Sequence, residues 1–183
     1  GKMNVKKSKE NTVFFDYLKF LSKKQKDALP LQNQLKNKEI SEKEKKKINT
    51  QLAATGEAIK EYRADAIAKN NDLFVSVFFK AMNETVIPPF ESVKNDSLKK
   101  LLNYEYYKNH YFDNIDFSDD RINNTPIYHN KMIQFFKNVV YPTPDSIIKE
   151  VDVLIGKAKG NDELFKYTVF TLLSSYEKSN VMG

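Results

Sequence analysis

The chain has 183 residues, a formal net charge of +6, 40% hydrophobic and 13% aromatic side chains, and only 5 glycines. That length and apolar content suffice for one or two compact units burying roughly 70% of the unfolded surface, and they exclude a disordered tail. Cysteine and tryptophan are absent, which excludes disulfides, thiolate metal sites and thiol catalysis within these residues.

The longest apolar runs fall well short of the roughly 18 residues that span a bilayer, and no charged-then-apolar leader opens the chain. Gly1, Lys2 and Met3 read as a processing scar, and the chain as a piece of a longer polypeptide. Charge is unevenly placed: 17 basic against 9 acidic residues through Lys69, then 13 against 15. A basic front is compatible with nucleic acid or a lipid surface. Solvated helical faces explain it better, because the lysines alternate with acids and no arginine or aromatic platform accompanies them.

From Thr12 the apolar positions Phe14, Leu18, Leu21, Ala28 and Leu35 recur at helical spacing with lysines between them, which predicts an amphipathic helix. Pro30 lacks a backbone donor and disfavours helical geometry at Leu29, so a kink or short break is expected there. Ser41 and Glu44 form a capping box, predicting a second long helix with Ile48, Leu52, Ile59, Tyr62 and Ala66 inward. Gly56 costs that helix about 1 kcal/mol relative to alanine. The two helices make an antiparallel hairpin over residues 1–70.

Asn70, Asn71 and Asp72 are expected to stop the second helix and cap a third. Its body, residues 73–79, is apolar on nearly every side, with a buried strand as the competing reading. Pro88 and Pro89 enforce an extended linker, and Asn95 or Asp96 opens the next helix. There Leu98, Leu101, Leu102, Tyr106 and Phe112 are expected inward, with Lys99, Lys100, Glu105 and Lys108 in water. The back half of residues 104–121, with Asp113, Asn114, Asp116, Ser118 and Asp119, is expected to form a hydrogen-bonded elbow with Ile115 and Phe117 as apolar pegs.

Thr125 and Thr143 are candidate caps, with Pro126 and Pro144 at first helical positions, predicting helices over 126–140 and 144–159. Met132, Ile133, Phe136 and Val140 would face inward from one, and Ile147, Ile148, Val151, Leu154 and Ile155 from the other. Gly160 ends the latter, and Asn161 caps a last helix carrying Leu164, Phe165, Val169, Leu172, Leu173 and Tyr176. The expected fold is therefore all-α, with about seven helices: a hairpin over 1–70 packed on a multi-helix bundle over 71–183, forming one continuous unit.

The elbow is also the candidate functional region: Tyr107, Asn109, His110, Asp113, Asn114, Asp116, Asp119 and Arg121 form a structural corner or a docking surface. The spacing of Asp113, Asp116, Asp119 and Asp120 lacks the glycine and closing glutamate of a calcium loop, so capping and a pair with Arg121 are preferred. His110 and His129 are too separated to pair along one helix, and His110 is expected to bond within the elbow. No phosphate loop, nucleophile elbow or paired-carboxylate motif occurs, and no cofactor is expected. Tyr104, Tyr106, Tyr107 and Tyr111 read as half core and half surface, although they could also stack on a ligand.

The run from Tyr106 through Arg121, followed by Thr125-Pro126, resembles a helical region of the thioredoxin-like envelope proteins related to TlpA and the AhpC/TSA group of Bacteroides-type bacteria. Pro144-Asp145-Ser146, Gly160-Asn161 and Tyr176-Glu177-Lys178-Ser179 running into Met182-Gly183 extend the resemblance over most of the chain from Asp72. In that family the region is a domain of unknown function preceding a thioredoxin fold with a Cys-x-x-Cys pair, and a lipoprotein signal is common. The resemblance implies a non-catalytic accessory module of an exported thiol-disulfide oxidoreductase in the periplasm or cell envelope, serving substrate docking or dimerisation. Its implied partners are a C-terminal thioredoxin-like domain of the same polypeptide, protein substrates or a second copy, with membrane contact only through a lipoprotein anchor. The alternative is a free-standing helical adaptor that binds a peptide or partner protein.

Overall fold

The computed structural model describes residues 8–37, 39–177 and 179; readings that fall on residues 1–3, 178 and 181–183 lie outside them. The described residues form seven α-helices and one short 3-10 helix, with no strand among them. The helices are α1 (Lys9–Leu35), α2 (Glu42–Lys69), α3 (Phe74–Ala81), α4 (Asp96–Asn109), α5 (Pro126–Asn138), α6 (Pro144–Ala158) and α7 (Asp162–Tyr176), and the 3-10 helix Asp120–Asn124 precedes α5. The fold is all-α, as the periodicity requires.

The chain divides into two compact units, Gly1–Phe79 and Lys80–Gly183. The division falls inside α3 rather than at residue 70, because the first part of α3 belongs with the hairpin. Phe78 lies edge-on to Phe14 at 5.7 Å and Phe79 lies 4.7 Å from Tyr17. Ala81, two residues on, joins the core of the second unit.

In the first unit, Tyr17 and Phe20 from the N-terminal half of α1 meet Tyr62 near the C-terminus of α2, so the helices run antiparallel. The Ser41–Glu44 capping box forms as expected. Ser8, a cap that the pattern from Thr12 overlooked, accepts from the Asn11 N–H and starts α1 earlier. Pro30 does not break α1, which continues to Leu35. The loss of one donor in the outer half of the hairpin is outweighed by helix–helix packing, since Ala28 is buried on one side of it.

Phe74–Ala81 is helical, so the strand alternative fails. Its cap is not the one expected. Asn70 closes α2 by donating to the Ala66 carbonyl, but the free donors of α3 go to Glu10, whose two carboxylate oxygens accept from Phe74 N (2.6 Å) and Val75 N (3.1 Å). A side chain 64 positions away thus performs the cap expected from Asn70, Asn71 and Asp72, and its negative charge suits the positive end of the helix.

In the second unit, Met132, Phe135 and Tyr128 of α5, Ile147 and Leu154 of α6, and Leu164 and Leu172 of α7 bury a shared core with Phe112, Ile115 and Ile122. Asn95 and Asn161 cap α4 and α7 as expected. Thr125 and Thr143 precede their prolines, but neither side chain caps: Thr125 donates to the Ile122 carbonyl and Thr143 to Ser146. The inward face expected of α4 holds only towards its C-terminal end, where Phe112 is buried and Leu102 and Tyr106 are half-buried. Leu98 and Leu101 are about half exposed and no α4 residue is fully buried, whereas the Lys108 side chain keeps only 13% of its surface. Ile148, expected inward, is exposed, and so is Leu173 of α7.

Replacing Glu10 by alanine leaves two N–H groups of α3 without their carboxylate and is expected to cost about 1–2 kcal/mol. Urea unfolding of the Glu10→Ala and Glu10→Gln proteins checks this, with Gln retaining part of the cap.

Candidate functional site

The elbow is ordered by short-range bonds that its own residues make. α4 ends at His110, whose N–H reaches the Tyr106 carbonyl. The His110 ring stacks on Tyr106 at 4.1 Å, and its Nδ1 lies 2.6 Å from Asp113 Oδ2. Asp116 accepts from both the backbone N–H and the hydroxyl of Ser118, a turn closed by an aspartate. Asp119 caps the 3-10 helix by accepting from Arg121 N, and the Arg121 guanidinium grips the same carboxylate through Nε (2.8 Å) and Nη2 (2.6 Å). These bonds hold the Asp119 carboxyl below its ordinary pKa.

Beneath this polar rim the pegs enter the core: Phe112, Ile115 and Ile122 are buried and Phe117 lies edge-on to Tyr128. Two further contacts fasten the elbow to the segment after α3. Thr85 donates to the His110 carbonyl (2.9 Å), and Asn114 donates to the Asn83 carbonyl (3.2 Å). Lys131 of α5 donates to the same Asn83 carbonyl (3.1 Å), with its ammonium 5.5 Å from the centre of the Tyr111 ring, and burial pushes its pKa down.

The expected site residues therefore resolve into separate local pairs. His110 meets Asp113, and Asp119 meets Arg121. Asp116 meets Ser118, Asn114 reaches back to Asn83, and Asn109 is exposed. Tyr107 lies edge-on to Tyr111 at 5.4 Å, its phenol pushed up by burial and by Glu84. Among the described residues no group of three or more His, Cys, Asp or Glu could hold a metal ion, and no helix is long and apolar enough to cross a membrane.

Other polar groups escaped the sequence reading. Lys108, expected in water, sits between Glu105 (3.0 Å) and the buried Glu150 of α6 (3.5 Å). Burial opposes its charge, but the Glu105 hydrogen bond and the two carboxylates outweigh that and hold its pKa above the ordinary lysine value. A signal existed, because Glu150 falls between Ile147 and Leu154 on the apolar face of α6, where an unpaired acid is costly. Tyr128 is fully buried and its hydroxyl lies 2.6 Å from Thr168 Oγ1. Thr168 donates to the Leu164 carbonyl, so Tyr128 is the donor in their pair. Burial pushes its phenol up to about 12.

One open apolar concavity lies between α6 and α7. Ile148, Val151 and Ile155 on one side face Val169, Leu173 and Tyr176 on the other around a groove of about 250 Å³. No protein-family profile, curated protein or solved structure matches the chain.

Removing the Asp119 carboxylate (Asp119→Ala) is expected to destabilise by about 1 kcal/mol near neutral pH through loss of the cap. Because the folded pKa is depressed, that contribution is present above the ordinary carboxylate range and is lost as pH falls through the folded value. The gap between wild type and variant in urea should narrow in acid. For Tyr128 the folded pKa is raised, so its contribution is complete below the ordinary tyrosine range and is lost as pH rises towards about 12. Phenolate absorbance should show at least one tyrosine ionising only with alkaline unfolding, and Tyr128→Phe should remove it.

Proposed function

We propose that the chain is a non-catalytic helical accessory module of an exported thioredoxin-like thiol-disulfide oxidoreductase, acting in the periplasm or cell envelope and needing no cofactor of its own. The observation that carries the reading is the way the elbow spends its chemistry. His110, Asp116, Asp119 and Arg121 each bond a near neighbour, in pairs that brace a corner instead of converging on a substrate. With no cysteine in the chain, electron exchange belongs to another part of the polypeptide. The resemblance of residues 106–121 supplies the context. The α6–α7 groove fits the docking role, since an apolar concavity with one aromatic end suits another folded element better than a polar metabolite.

The test is to read the natural gene beyond Gly183 and assay the parent protein. The expected result is an in-frame domain with a Cys-x-x-Cys pair. Deleting residues 1–183 should leave disulfide exchange with a small dithiol intact and alter it with protein substrates. A downstream stop codon, or a downstream domain without the pair, rejects the proposal.

The same groove favours a second reading, a free-standing adaptor for a partner helix or peptide. Against it, the tyrosines offered for that role are engaged internally: Tyr104 donates to the Val139 carbonyl and Tyr111 packs on Phe112 and Phe135.

A further inference from the structure

The hairpin carries a second, chemically different surface. Along one flank of α1 and α2 runs a groove of about 580 Å³ whose apolar floor includes Ala28, Leu29, Leu52 and Ile59. Leu29 is 56% exposed there. Lys24 and Lys26 line it, and no acidic side chain does among the described residues. Gly56 lies in the same wall, and a Cβ built on it meets nothing within 4 Å, so packing inside the hairpin does not require glycine. Its helix penalty of about 1 kcal/mol therefore has no internal compensation. A residue without a side chain lets another helix backbone approach closely.

We propose that this groove receives a third helix, an amphipathic segment of another protein element with apolar residues at helical spacing and acidic residues flanking them. The charge argument selects this occupant over a second copy. The part of the chain through Lys69 carries 17 basic against 9 acidic residues, so two hairpins repel where an acid-flanked helix is attracted. The inference is independent of the accessory-module reading, because it concerns the hairpin alone and holds or fails whatever lies beyond Gly183.

The probe is a pair of synthetic helical peptides sharing one leucine stripe, flanked in one by glutamate and in the other by lysine, titrated against the full chain by fluorescence anisotropy. The glutamate peptide should bind and weaken with added salt, and the lysine peptide should not. Gly56→Leu, which fills the groove, and Lys26→Glu, at an exposed position, should each weaken binding at least about tenfold. Gly56→Ala should raise the melting temperature, showing that the site tolerates a side chain. Equal binding of both peptides, or binding of neither, overturns the proposal. So does self-association of the chain that Gly56→Leu abolishes, since the occupant is then a second copy.

Discussion

Phe112, Ile115 and Ile122 go into the core of the second unit from a stretch that is mostly not α-helix, and much of the local structure follows from that burial. Backbone drawn towards an apolar interior must find partners for its N–H and C=O groups, and outside a regular helix those partners have to be supplied one at a time. The acids and amides of residues 109–121 supply them. Asp116 and Asp119 accept from nearby backbone N–H groups, and the side chains of Thr85 and Asn114 serve carbonyls. Much of the polar density of this stretch goes to bonding irregular backbone and near neighbours around three buried apolar side chains.

The same rule governs the start of α3 within the first unit. α3 begins after a turn whose own side chains are already committed: Asn70 closes α2, and its carbonyl takes the Ser76 hydroxyl. The first donors of α3 are left over, and Glu10 reaches them from the start of the chain. A carboxylate there satisfies two hydrogen bonds and meets the helix dipole at once, which is why an acid serves where a neutral residue would do less. The Lys108–Glu150 pair repeats the logic between α4 and α6, with both charges mostly withdrawn from water and therefore dependent on one another.

The two apolar concavities differ in what surrounds them. The groove between α6 and α7 is lined by aliphatic side chains and one tyrosine, whereas the groove on the hairpin is rimmed by lysines. Contact with an adjoining folded element suits the first, and an acid-flanked helix the second.

Much of the secondary structure was legible in the residues themselves, because caps and periodicity are local. Ser41 with Glu44, Asn95, Asn161 and the two Thr-Pro pairs mark helix starts using atoms no more than three residues apart, and the structure starts helices where they stand. The pairing of Asp119 with Arg121 and of His110 with Asp113 was within reach for the same reason. What tertiary structure alone decided was which apolar residues are buried and which distant groups meet. Leu98, Ile148 and Leu173 sit at helical spacing yet remain exposed, since a periodic stripe shows that a helix is amphipathic without showing how wide a face its neighbours cover. Glu10 capping α3, Lys108 reaching Glu150 and Pro30 lying within an unbroken α1 depend on contacts made in space, whose energies no local pattern contains.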